Sequence, residues 1–216
     1  AYTPDIDMPA SSQIETAEQR LYDLSAGGEL ERGYVDLRTA TRIAIENADK
    51  AFKRQSHVVG LTTGLTDIDQ KLGGLHPSDL IILAGRPAMG KTALATNIAF
   101  NAAQAFKERT GPDGEKVTEG GHVLFFSLEM SAEQLATRVL AQEAEISSDR
   151  VRRGDIEQPE MDRLVEKSQI LSRAPLYIDD TPALSISAVR TRARRVKRQK
   201  DLHLIVVDYL QLLQPS

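Results

Sequence analysis

The sequence predicts an α/β fold, a mostly parallel sheet covered on both faces by helices, with a helical segment ahead of it. Three observations carry this. Short apolar runs at Leu80–Ala84, His122–Ser127, Leu176–Asp180 and Leu204–Asp208 alternate with longer stretches whose apolar residues recur at helical spacing. The first run leads directly into Gly85-Arg86-Pro87-Ala88-Met89-Gly90-Lys91-Thr92, a G-x-x-x-x-G-K-T loop, and then into a helical pattern from Ala93 to Phe100. The last run ends on an acid, Asp208, where ligands of parallel sheets gather.

Composition sets the outer limits. A chain of 216 residues with 41% hydrophobic and 27% charged residues suits one domain with appendages, or two small ones, and is ordinary for a soluble globular protein. No apolar run approaches the ~20 residues needed to span a bilayer, and no secretory leader pattern is present. The absence of cysteine excludes disulfides and thiolate metal sites and fits a cytoplasmic protein. His57, His76, His122 and His203 have no ligand spacing among them. A net charge of −4 leaves any nucleic-acid contact to local patches. The start at Ala1 and the stop at Ser216, just after an apolar strand, lead us to expect a fragment of a longer polypeptide.

Taken in order, residues 1–12 are an irregular lead-in. Ile14, Ala17, Leu21 and Leu24 predict a helix that Gly27-Gly28 ends. Asp36 is a good N-cap for a second helix, to about Gln55, with a narrow stripe of Leu37, Ala40, Ala44, Ala48 and Ala51. Such a helix needs a surface to lie against, either its own domain or a neighbouring subunit, and the residues do not choose between them. The domain boundary falls near His57. A short helix around Leu65–Leu72 and the Gly73-Gly74 stop deliver the chain to the first strand. After the glycine loop a helix covers 91–107, and the polar stretch 108–121 is a surface hairpin or loop. Ser131 and Gln134 form a capping box for a helix to about Gln142. A polar segment holding Arg150, Arg152 and Arg153 leads to a helix near 159–172. A further helix spans Ile186–Lys200.

The loop carries the chemistry. Backbone N–H groups of a glycine-bounded turn, together with the unpaired N–H groups of a helix's first turn, form a cradle for polyphosphate. The nucleotide contacts expected are Gly85, Arg86, Pro87, Ala88, Met89, Gly90, Lys91, Thr92 and Ala93. Lys91 supplies a cation for the β- and γ-phosphates of ATP, and the Thr92 hydroxyl is placed to ligate Mg²⁺. A chance glycine turn is the bland reading, and the bare pattern arises by accident in roughly one chain in a hundred of this length. Asp208 is the second candidate for the magnesium, against the alternative of a strand-end turn cap. Glu129, just past a strand, is either a general base for an attacking water or an acid favoured by the helix dipole. Asp179 and Asp180 occupy a similar place, but the following Thr181-Pro182 points to a turn. Seven cations among residues 190–200 mark a DNA-contacting or subunit-contacting surface, or a solvated helix face.

Five blocks in order carry a family likeness: Gly64–Asp69, Gly73-Gly74-Leu75, Ala84–Thr92, Ser127–Ser131 and Val206–Leu212. Together they resemble the bacterial replicative DNA helicases of the DnaB type, over nearly the whole chain. The resemblance implies a RecA-like motor domain over 58–216, truncated after the Walker B strand. Residues 1–57 are then the tail of an N-terminal domain and a linker whose helix, residues 36–55, docks on the adjacent subunit. It assigns Lys91 and Thr92 to Walker A, Asp208 to Walker B, and Glu129 to the catalytic glutamate. The implied activity is unwinding of duplex DNA at the replication fork, by 5′–3′ translocation on single-stranded DNA with ATP hydrolysed between subunits of a homohexamer. Primase and a helicase loader are the implied partners.

Two departures matter. Ala88 stands where the family commonly has glycine, and if the loop requires φ > 0 there, alanine costs about 1–2 kcal/mol. The family's DNA-binding loops, γ-phosphate sensor and arginine finger lie past Asp208, so the fragment is expected to bind nucleotide without unwinding DNA. Rival readings are a recombinase-like ATPase, a small-molecule kinase and a nucleotide-gated assembly module.

Overall fold

The computed structural model describes residues 35–53, 59–110 and 116–214, together with Gln13, Thr16, Ala17 and Arg20, which are helical. The remainder of the helix expected over 14–24 lies outside the described residues. Helix α1 (Leu37–Lys53) starts where the sequence places it. Both Asp36 carboxylate oxygens are used, Oδ1 accepting from the Thr39 N–H at 3.0 Å and Oδ2 from the Thr39 hydroxyl at 2.7 Å. Its apolar Leu37, Ile45 and Phe52 are exposed, at 81%, 64% and 89%, so no described residue covers that face.

The lead-in to the core is a small closed unit. Leu61 and Leu75 exchange backbone hydrogen bonds at 2.8 Å around helix α2 (Thr66–Leu72). Asp69, 6% exposed, accepts from the hydroxyls of Thr62 and Thr63 and from the Thr63 N–H. The Thr63 carbonyl in turn accepts from Asn101, which ties this unit to helix α3 (Lys91–Gln104).

After α3 the chain makes an antiparallel hairpin, β1 (Lys107–Thr110) with β2 (Lys116–Glu119), so the polar stretch resolves as a hairpin whose tip, 111–115, lies outside the described residues. The hairpin leaves and rejoins the core at one point. Gly121 donates to the Ala102 carbonyl at 2.9 Å, and Gly120, at φ 67°, passes so close to Ala105 and Phe106 that a Cβ would sit 2.4 Å from their backbone.

The sheet proper is parallel, in the order β4-β3-β5, from β3 (His122–Ser127), β4 (Leu176–Asp179) and β5 (Leu202–Asp208). Side chains of β3 alternate between two cores. Val123 and Phe125 meet Ala99, Ala102 and Ala103 of α3 and Leu135 of α4 (Ala132–Glu143). Leu124 and Phe126 meet Ala188 and Ala193 of α7 (Ile186–Lys200). Both faces are thus covered, as parallel ladders require. The alanines of α3 let the helix approach closely enough for Phe125 to be 1% exposed. An extra residue, His203, interrupts the β3–β5 register between His122 and Val123. The predicted capping box at α4 is present, with Ser131 and Gln134 exchanging bonds of 3.2 Å. The polar segment before 159 contains a short helix the periodicity did not disclose, α5 (Ser148–Arg153). It is joined to α6 (Gln158–Leu171) by a two-pronged Arg150–Glu160 ion pair at 2.7 and 2.8 Å.

One expectation fails. Leu80–Ala84 is not a strand: it pairs with no described residue, and Leu80, Ile81, Ile82 and Leu83 are exposed at 87%, 53%, 72% and 43%. An apolar run encodes a tendency to be buried, but a ladder also needs a neighbour offering its N–H and C=O groups. No described residue supplies one.

Candidate nucleotide site

The loop Gly85–Thr92 stands at the N-terminus of α3. Gly90 is the N-cap, at φ 83°, and offers no side-chain cap to the first-turn N–H groups. Those groups are the orphan donors and the positive end of the helix dipole. Ala88 adopts φ 62°, the left-handed region, so the condition set by the sequence is met and the loop holds about 1–2 kcal/mol of backbone strain. Met89 closes the turn by donating to the Arg86 carbonyl at 3.3 Å. Lys91 folds over the loop, its Nζ donating to the Gly85 and Arg86 carbonyls at 3.0 and 3.2 Å. A cleft of about 480 Å³ opens here, lined by Gly85, Arg86, Met89, Gly90, Lys91 and Leu94 among others. Pro87 lies in the exposed turn, while Thr92 and Ala93 are half-buried in the first helical turn.

Where the carboxylates lie relative to this loop follows from the packing of α3. The C-terminal end of α3 meets the start of β3, through the bond from Gly121 to Ala102. The helix therefore runs antiparallel to the strands. Its 14 residues span about 21 Å and the 6 residues of β3 about 20 Å. The Lys91–Thr92 end consequently reaches the level of Ser127, which is in register with Asp208. Ala95 and Met130 pack against the same core cluster, which brings the first turns of α3 and the Glu129 turn to one side of the sheet.

Asp208 is 7% exposed, and its Oδ2 is the one buried side-chain oxygen among the described residues without a hydrogen-bond partner. An orphan carboxylate oxygen at a strand end is expensive unless a cation or donor meets it. Thr92 lies in the first turn of α3, and a hydroxyl and a carboxylate are the all-oxygen donor types that suit magnesium. The peptide between Asp208 and Tyr209 is cis. Glu129 is exposed, on a turn fastened at three points. Leu128 donates to the Asp208 carbonyl at 2.8 Å, Ser127 Oγ donates to the Met130 carbonyl at 2.6 Å, and Ala132 donates to Asp180 Oδ2 at 2.8 Å. Neither Glu129 nor Asp208 lines the loop cleft itself.

The other strand-end acids have structural partners. Asp180 caps α4 as just described. Asp179 accepts from Arg192 at 2.7 and 2.9 Å and from the Thr181 N–H. Burial pushes its carboxyl up, but these hydrogen bonds outweigh burial and hold it below the ordinary carboxylate range. Sequence reasoning missed Asp69 as the organiser of the lead-in. The adjacent threonines Thr62 and Thr63, placed ahead of a short helix, were the only signal.

Comparison with known proteins bears on this arrangement. The family described as DnaB-like helicase C-terminal domain matches residues 60–216. The replicative DNA helicase DnaB of Rickettsia bellii is 47% identical over 214 residues, 99% of this chain and 42% of its own length. That of Geobacillus stearothermophilus is 40% identical over 171 residues, covering 79% of this chain and 35% of its own. The chain thus spans less than half the length of these relatives. Among solved structures, an ATPase domain matches with a TM-score of 0.69 over 84% of this chain and 60% of its own. A DnaB-like replicative helicase studied with primase gives 0.68 over 94% and 47%. Both are 23% identical, a likeness of fold.

Proposed function

Because the chain belongs to the DnaB-like helicase C-terminal domain family, we propose that it is the nucleotide-binding part of an ATP-driven replicative DNA helicase. The observation that carries this is the antiparallel course of α3, which sets the N–H cradle of the loop at the sheet end holding the orphan oxygen of Asp208. In this reading a triphosphate takes the place of the two carbonyls on Lys91, whose ammonium turns to the β- and γ-phosphates, while loop N–H groups receive the remaining oxygens. Thr92 and Asp208 would hold magnesium, which when bound would supply charge neutralisation at the phosphates. Glu129 orients a water and accepts its proton as the water oxygen bonds to the γ-phosphorus and the bond to the β-phosphate oxygen breaks. The fixed turn around Glu129 suits this role because a base must be held within hydrogen-bond reach of its proton.

The wider role follows from the family. We assign the whole protein to 5′–3′ translocation on single-stranded DNA as a homohexamer, in the cytoplasm, with primase and a helicase loader as partners. Residues 1–57 form the linker side and 58–216 the motor side. The exposed apolar face of α1 supports docking of that helix on an adjacent subunit.

Titration calorimetry with ATP and magnesium tests the proposal. Wild-type chain is expected to release heat, Lys91→Ala to release none, and Asp208→Asn to bind with a weakened dependence on magnesium. No heat from the wild type, or unchanged binding by Lys91→Ala, refutes it.

A further inference from the structure

Helix α4 has more support at its N-terminus than the start of a helix requires. Ser131 and Gln134 already close a capping box there, and Glu133 in the first turn places a carboxylate where the helix dipole favours one. A further acceptor comes from outside the helix. Asp180, the residue after β4, reaches across with Oδ2 to the N–H of Ala132, the first residue of α4, at 2.8 Å. Its own place is set by its neighbour, because Asp179 is clamped by Arg192 and accepts from the Thr181 N–H. Local capping accounts for where the helix begins and leaves the reach from β4 unexplained.

What that reach adds is sideways position. The middle strand of the sheet is β3, and Leu128–Ser131 alone separate its end from α4. Leu128 donates to the Asp208 carbonyl on the β5 side, and Ala132 donates to Asp180 on the β4 side. Glu129 lies between these two ties, which pull toward opposite neighbours of one strand. The tie to β5 runs from backbone to backbone and depends on no side chain. The tie to β4 rests on a single side-chain oxygen. An exposed side chain such as Glu129 is not fixed by core packing, so its place over the sheet end follows the turn. A misplacement of about 1 Å at a reacting group can cost on the order of a hundredfold in rate.

We infer that Asp180 is a positioning residue for ATP hydrolysis: its carboxylate fixes the Glu129 turn across the end of the sheet, acting on the turn and not on the nucleotide. This rests on the proposed role of Glu129 as the base, whereas the tie itself is a property of the fold.

Steady-state ATP hydrolysis by the whole protein tests it. Asp180→Ala is expected to lower kcat about tenfold or more, with the KM for ATP unchanged within about twofold. Asp180→Asn keeps an acceptor oxygen and should retain most of the rate. Glu133→Gln removes an exposed charge from the same first turn without touching the link to β4. It should leave kcat within about twofold of the wild type. Independently of turnover, hydrogen exchange at the Ala132 amide of the 216-residue chain, followed by NMR, should quicken at least about fivefold in Asp180→Ala. A wild-type kcat in Asp180→Ala, a rise in KM in place of the fall in kcat, or an equal loss in Glu133→Gln overturns the inference. So does a loss in Asp180→Asn as large as in Asp180→Ala, or unchanged exchange at Ala132. The two readings fail differently. No hydrolysis by the wild type, or a Glu129→Gln protein that turns over at the wild-type rate, sinks the general-base reading and this inference with it. An inactive Glu129→Gln protein beside an Asp180→Ala protein at full rate sinks only the part given to Asp180.

Discussion

Leu80–Ala84 and His122–Ser127 have nearly the same sequence character, a short apolar run with a glycine at one end and a helix soon after, yet their environments are opposite. In β3 the run is hydrogen-bonded on both sides, and Val123 and Phe126 are fully buried. Ahead of the phosphate loop, Leu80 and Ile82 are mostly exposed and no ladder forms. Hydrophobicity specifies a demand for burial, while neighbours on either side decide whether it is met. The loop with the chemical signature is therefore held chiefly from its downstream side, by α3, whereas the acids are held by the sheet.

The largest expected effect breaks this contrast directly. Phe125→Ala empties a closed core and should cost about 3–5 kcal/mol, enough to unfold much of the population. Ile82→Ala should stay within about 0.5 kcal/mol. Urea midpoints for the two variants measure the difference, and similar losses would mean that the loop's lead-in is packed after all. Next in size is Ser131→Ala, which removes the cap beside Glu129 and is expected to cost about 1 kcal/mol in thermal unfolding. Smaller still, Ala88→Gly should stabilise by about 0.5–1 kcal/mol. Release from the left-handed region is worth about 1–2 kcal/mol, of which the freer unfolded chain takes back about 0.5–1. A lower melting temperature for this variant would contradict the φ of 62°.

The smallest effect concerns pH at the entry of β3. Burial, with His203 and Lys200 nearby, holds the His122 imidazole below its ordinary value. The folded state thus prefers the neutral ring and the unfolded chain takes up the proton first. The stabilisation is present above an unfolded pKa of about 6.5 and is lost as pH falls below it. Urea unfolding across that range should show a shallower acid loss for His122→Gln. An identical pH dependence would remove His122 from the account.

Features that depend on local chemistry were legible in the sequence. The N-cap of Asp36, the Ser131–Gln134 box and the glycine loop each need only a few neighbouring residues, and all three stand where the sequence placed them. The parallel sheet was legible through its apolar runs, because both faces of β3 are buried. The misplaced strand at Leu80–Ala84 and the overlooked helix at Ser148–Arg153 depend instead on distant partners. One lacks a ladder neighbour, and the other is secured by Glu160, ten residues on from Arg150. The orphan oxygen of Asp208 belongs to the same class, since burial of a strand-end acid cannot be read from the strand alone.

The crossing at Phe106 and Gly121, where the β1–β2 ribbon departs and returns, makes that ribbon a graft rather than a structural member. Its length can change without moving the sheet or the glycine loop, because a surface loop closed at its base transmits little to the scaffold beneath. For the experimenter the same geometry provides a handle: a dye or affinity tag on β2 would ride at the end of the sheet opposite the glycine loop and leave that loop untouched.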